Sequence, residues 1–267
     1  MRVRSYGNIP YTVALIHGGP GAAGTMEPVA RTLITKGILE PIQNACSVDG
    51  QIDELKTTLE QQCDQPLILV GHSWGAWLAW LLAAQHGALV KKLILVGAGP
   101  FEDRYVPQIS INRLSRLNDN DKREYQQLLG DMHDQSLADK SNMLDRLGFL
   151  ADKADTYEKI SDPPPITSAR FLTNNPSELY ARVWPEAALL RKSGALLHAG
   201  SSIKCPVVAI HGDCDSHPVC GVQEPLSAVL QNFKMIVLER CGHTPWCEKL
   251  AVETFYAVLE DEIGASV

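Results

Sequence analysis

The stretch Leu67-Ile68-Leu69-Val70-Gly71-His72-Ser73-Trp74-Gly75-Ala76 decides how this chain folds. Four apolar residues run into a Gly-x-Ser-x-Gly turn, and an Ala-rich segment follows as far as Ala84. A strand, a tight turn and a helix in that order are the expected elements. Glycines two before and two after the serine are required because a Cβ at either place would collide with the neighbouring strand or helix. Such a turn lifts the Ser73 hydroxyl clear of the sheet. It also aims the start of the helix at that hydroxyl, where the first backbone N–H groups are unpaired and carry partial positive charge. Ser73 is therefore the candidate nucleophile.

Working outward, three further segments fall at the ends of apolar runs. His17-Gly18-Gly19-Pro20-Gly21 follows Val13-Ala14-Leu15-Ile16, and Asp213 and Asp215 follow Val207-Val208-Ala209-Ile210-His211-Gly212. His243 sits in Cys241-Gly242-His243-Thr244-Pro245, after Met235-Ile236-Val237-Leu238. Another run covers 93–96, and Ile38-Leu39-Glu40-Pro41-Ile42 is a weaker strand candidate. These runs do not alternate with polar residues, as expected of strands buried on both faces in a parallel sheet. Helical patterns lie at about 24–36, 50–62, 74–86, 219–231 and 247–261. The fold class is α/β, a doubly wound, mostly parallel sheet.

The chain order of glycine loop, Ser, Asp and His resembles the α/β-hydrolase superfamily. The likeness covers nearly all of the sequence apart from a variable middle. Within that superfamily, His17-Gly18-Gly19-Pro20-Gly21 is most similar to the prolyl aminopeptidase-like branch. The resemblance implies a serine hydrolase working through an acyl-enzyme on Ser73, with His243 as base. Its Gly-x-x-Asp pattern places the acid three residues after Gly212, at Asp215, and leaves Asp213 as a loop-capping carboxylate. The backbone N–H groups of Gly19 and Trp74 would form the oxyanion hole, and no metal or organic cofactor is implied. Two departures stand out. The Asp-x-Arg-Gly-x-Gly-x-Ser loop usual in that branch has no counterpart in Gln43-Asn44-Ala45-Cys46-Ser47-Val48-Asp49-Gly50. Little chain precedes His17, so an abbreviated N-terminal edge is expected in place of two antiparallel strands.

Residues 1–100 and 201–267 are expected to form the hydrolase core, and residues 101–200 an inserted helical cap. That middle is polar, with helical patterns at 119–130, 135–159 and 176–192, interrupted by Pro163-Pro164-Pro165. Trp74, Phe101, Phe171 and Trp184, with Trp77 and Tyr180, are the candidates for an apolar substrate pocket. The substrate is expected to be a small ester or amide. A C–C hydrolase or lyase using the same triad, or a ligand-binding protein on a hydrolase scaffold, are the alternatives.

A net charge of −7 and the lack of any basic stripe argue against a nucleic-acid surface. No apolar stretch approaches the roughly 18 residues of a membrane span, and there is no signal-peptide core, so the cytoplasm is the expected compartment. The partner is a small-molecule substrate; oligomeric state has no signature here. Seven cysteines, an odd number, argue for reduced thiols. Cys214 and Cys220 bracket the acid loop and Cys241 and Cys247 the histidine loop, where small apolar side chains would fill loop cores. Their spacing is longer than metal knuckles use. Among the other histidines, His72 should point away from the Ser73 hydroxyl, His17 and His211 brace loops, and His86, His133, His198 and His217 lie on the surface or cap.

Overall fold

The computed structural model describes residues 2–132, 141–163, 166–167, 172–173 and 175–265. Among these, seven strands form one sheet: β1 (Arg2–Tyr6), β2 (Val13–Ile16), β3 (Ile38–Ile42), β4 (Leu67–His72), β5 (Val90–Val96), β6 (Val207–Gly212) and β7 (Phe233–Leu238). Their spatial order is β1-β3-β2-β4-β5-β6-β7. Only β1 runs antiparallel, with Arg2 opposite Ile42 and Tyr6 opposite Ile38.

The continuous apolar runs are explained by burial on both faces. Ala14, Ile16, Leu69, Leu93 and Leu95 join one buried cluster, and their neighbours Val13, Leu15, Val70, Ile94 and Val96 join the other. Successive side chains of a strand point to opposite faces, so a strand between two helical layers must be apolar throughout. The layers are supplied by α1 (Glu27–Thr32), α2 (Val48–Gln62), α3 (Trp74–Gln85), α9 (Cys220–Val229) and α10 (Val252–Gly264). Every residue of α3 from Trp74 to Ala83 is buried. That explains its apolar circumference and fixes the turn that precedes it.

β1 is the one antiparallel edge strand. Its polar residues are satisfied from within: Arg4 pairs with the fully buried Glu40 (Nη2 to Oε2, 2.6 Å) and with Glu27 (2.9 Å), and the Tyr6 hydroxyl donates to Glu40 at 3.0 Å.

Between β5 and β6 lie α4 (Val106–Arg116), α5 (Asp119–Met132), α6 (Ser141–Asp155), α7 (Pro176–Lys192) and the single turn α8 (Ala195–His198). The pattern at 135–159 thus yields a helix from Ser141; residues 135–140 and Pro164 and Pro165 lie outside the described residues. This region is not one packing unit. Helices α4 to α6 close around their own small cluster of Leu117, Tyr125, Leu150 and Ala154. Val183 and Ala187 of α7 and Leu196 of α8 instead join the main cluster against α3.

Candidate active site

The turn between β4 and α3 is as tight as its glycines imply. A Cβ on Gly71 would stand 2.2 Å from the Gly75 carbonyl oxygen, and one on Gly75 would stand 2.2 Å from that of Ile16. Neither contact is tolerable, so glycine is obligatory at both. Ser73 between them has φ 54° and ψ −117°, a left-handed conformation that costs a non-glycine residue on the order of 1–3 kcal/mol. Its backbone N–H donates to the Val96 carbonyl at 3.0 Å, which ties the turn to β5. Trp74 opens α3, so its N–H has no carbonyl one turn earlier to bond. Gly19, Ser73 and Trp74 all line one cavity of about 670 Å³.

His243 lines the same cavity, and its Nδ1 lies 2.7 Å from Asp215 Oδ2. Asp213 is turned elsewhere: its Oδ1 accepts the Cys241 N–H at 3.2 Å, closing the base of the histidine loop. Burial alone would push the Asp215 carboxyl up, yet the charges and hydrogen bonds of His243 and His217 hold it well below the usual carboxylate range. Burial alone would lower the His243 imidazole. The Asp215 charge and hydrogen bond, with Asp155 adding, outweigh that and raise it above its ordinary value. Among the described residues no hydrogen bond joins the Ser73 hydroxyl to His243; the two groups share the cavity wall.

The other histidines cluster more closely than the sequence suggests. His217, expected on the surface or cap, lines the cavity with its ring 4.6 Å from that of His243. Its Nδ1 lies 2.8 Å from Asp215 Oδ1. His72 Nε2 donates to the His243 carbonyl at 3.0 Å, and His72 is kept neutral by burial, which lowers its pKa to about 3. His211 Nε2 bonds the His217 carbonyl at 2.8 Å, and His17 Nδ1 bonds the Gly18 carbonyl at 2.8 Å. His133 lies outside the described residues.

Two anchors were not legible in the sequence. Buried Glu248 accepts from three backbone N–H groups, those of Gly242 (3.0 Å), Tyr157 (2.9 Å) and Glu158 (2.8 Å). It therefore clamps the histidine loop to the chain that leaves α6. Asp155 at the end of α6 accepts the His243 N–H through its carbonyl (2.8 Å), while its carboxylate takes a two-pronged bond from Arg113 (2.9 and 2.6 Å). A Glu four residues before the closing helix α10 carries no pattern that marks such a clamp.

Helices α4 to α7 supply the far side of the cavity through Val106, Ile109, Leu129, Leu147, Tyr180 and Trp184. Trp77, Trp184 and Tyr180 form a continuous stack, with rings 6.0 Å apart at 5° and 5.8 Å apart at 11°. The Arg191 guanidinium lies 5.5 Å over Trp77 and pairs with Asp103. Trp74 also lines the cavity, and its Nε1 donates to Gln51 at 3.1 Å.

Phe101 corrects the sequence expectation. It is fully buried against Trp80, with ring centroids 4.9 Å apart, and is absent from the cavity wall. Its N–H donates to the Gly221 carbonyl, which turns the ring inward under α3. Phe171 lies outside the described residues.

Asp215, His217 and His243 stand close enough together for a metal ion. Each imidazole nitrogen that faces the carboxylate must carry a proton to make its hydrogen bond, and this already accounts for the grouping. All seven cysteines are free thiols. Burial pushes Cys214 and Cys247 up to about 11. Among the described residues no helix is long and apolar enough to cross a membrane.

The model of the alpha/beta hydrolase family matches residues 14–248. No curated protein matches the chain. Many solved structures share the fold. VinJ superposes with a TM-score of 0.73 at 20% identity, over 99% of this chain and 95% of VinJ. A proline iminopeptidase from Mycobacterium smegmatis gives 0.62 at 14% identity, over 98% and 93%. The thioesterase domain from the curacin biosynthetic pathway gives 0.58 at 20%, over 99% and 94%.

Proposed function

Because the chain belongs to the alpha/beta hydrolase family, we propose that it is a serine hydrolase, acting on a small ester or amide through an acyl-enzyme. The observation that carries this reading is a strained serine opening onto the same cavity as a buried carboxylate–imidazole pair.

The Ser73 hydroxyl attacks the substrate carbonyl while His243 Nε2 takes its proton. Asp215, bonded to Nδ1, keeps Nε2 the free basic nitrogen and stabilises the imidazolium that forms. The tetrahedral oxyanion is met by the backbone N–H groups of Gly19 and Trp74, each worth about 3 kcal/mol to the transition state. His243 then returns the proton to the departing alcohol or amine. Water, deprotonated by the same imidazole, releases the acid and restores Ser73.

In this reading helices α4 to α7 act as the cap. Trp184 and Tyr180 from α7, stacked with Trp77 of α3, form a flat apolar wall for the acyl group. Seven free thiols fit a reducing compartment, and we place the protein in the cytoplasm. A panel of p-nitrophenyl esters against aminoacyl p-nitroanilides tests the assignment. Turnover of at least one class, lost in Ser73→Ala, is expected; no turnover of either class above the Ser73→Ala background contradicts it.

A further inference from the structure

Asp215 serves two imidazoles. Oδ2 meets His243 Nδ1 at 2.7 Å, while Oδ1 accepts from His217 twice, from Nδ1 at 2.8 Å and from the backbone N–H at 2.9 Å. The two rings stand 4.6 Å apart at 33°, and both line the cavity. His211 fixes the turn that carries the second ring by bonding the His217 carbonyl. A carboxylate only accepts, so each imidazole holds a proton on the nitrogen facing it.

We infer that His217 is a positioning residue: by sharing the Asp215 carboxylate it fixes which oxygen His243 meets and sets the strength of that base. The inference rests on the triad reading above.

The reasoning is electrostatic. A hydrogen bond donated to Oδ1 draws negative charge toward His217 and leaves less to stabilise an imidazolium at His243. Without the His217 ring, Oδ1 keeps only one backbone N–H. The carboxylate charge then falls more fully on His243, whose pKa rises. The groups facing His243 are few. Asp215 and His217 come from the loop after β6, His211 from β6 itself and His72 from the end of β4. Asp155 comes from the end of α6, with its partner Arg113 from α4. Burial is the largest influence on His72 and holds it neutral, and Asp155 is paired with Arg113, so His217 adds only a smaller charge effect to each.

The test compares the full-length protein with His217→Ala and His217→Asn, since an asparagine amide can donate from nearly the same place as Nδ1. Two quantities are measured: the titration midpoint of the His243 imidazole by NMR, and the rate of Ser73 labelling by a fluorophosphonate against pH. In His217→Ala the midpoint should rise by about half a pH unit or more. Labelling near about pH 6.5 should then slow roughly threefold while recovering at higher pH. In His217→Asn both should return toward the wild-type values.

A merely structural role would slow labelling equally at every pH and leave the midpoint in place. An unchanged midpoint in His217→Ala, or an asparagine variant displaced as far as the alanine one, overturns the inference. Failure of the wild-type protein to label at Ser73 would count against the hydrolase reading instead, and the NMR midpoint would still decide the role of His217.

Discussion

His243 Nδ1 and Asp215 Oδ2 lie 2.7 Å apart, and the aspartate side chain is wholly withdrawn from solvent. The carboxylate charge raises the imidazole pKa above its ordinary value against the opposing effect of burial. The base must be neutral to act, so activity appears as pH rises through that pKa. The acid limb of kcat/KM should therefore fall above about pH 6.5, the unperturbed histidine value. A pH profile on an ester substrate checks it, and a limb below that value contradicts the electrostatic account.

Asp215 and Asp213 are two residues apart but hold different partners, an imidazole and the Cys241 N–H. Asp215→Asn should cost on the order of 10⁴ in kcat, the loss known when a triad aspartate becomes an amide. Asp213→Asn weakens one capping hydrogen bond and should cost less than about tenfold. Steady-state kinetics on the two variants separate them.

Glu248→Gln replaces one acceptor oxygen with a donor that faces a backbone N–H. Urea unfolding should show a loss of about 1–3 kcal/mol, because a buried donor is left unsatisfied. Activity should fall as well, since the clamp on Gly242 directly precedes His243.

Trp184→Ala removes the middle ring of the stack with Trp77 and Tyr180. For an aromatic acyl ester kcat/KM should drop about tenfold, the equivalent of about 1.4 kcal/mol, while an acetyl ester should be much less affected. Equal losses for both would show that the stack is packing alone.

The parts of the fold legible in the sequence are those with one physical reason behind them. The run Leu67-Ile68-Leu69-Val70 reads as a strand because both of its faces are buried. Helix α7 begins at Pro176 after an Asn175 cap that accepts from Glu178, as its local pattern suggests. β1 carries no apolar signature because Arg2-Val3-Arg4-Ser5-Tyr6 is polar, and Arg4 is held by Glu27 and Glu40, distant along the chain. Helix α4 carries no core stripe that announces it, because none of its residues is buried.

The site shows the same division. Asp215 is singled out by the Gly-x-x-Asp pattern that the family resemblance implies, whereas His217 reaches the site only because the turn folds its ring back onto Asp215. Its signal is an Asp-x-His pair ahead of Pro218 in the acid loop. Phe101 misled because an aromatic residue just past a strand end can turn either toward the cavity or under the helix. Its backbone bond to Gly221 selects the second.

The most direct measurement is mass-spectrometric mapping of fluorophosphonate labelling on the wild-type chain and on Ser73→Ala. The account predicts one adduct on the peptide containing Ser73, absent from the variant. An unmodified wild-type protein, or an adduct that survives the substitution, would contradict it.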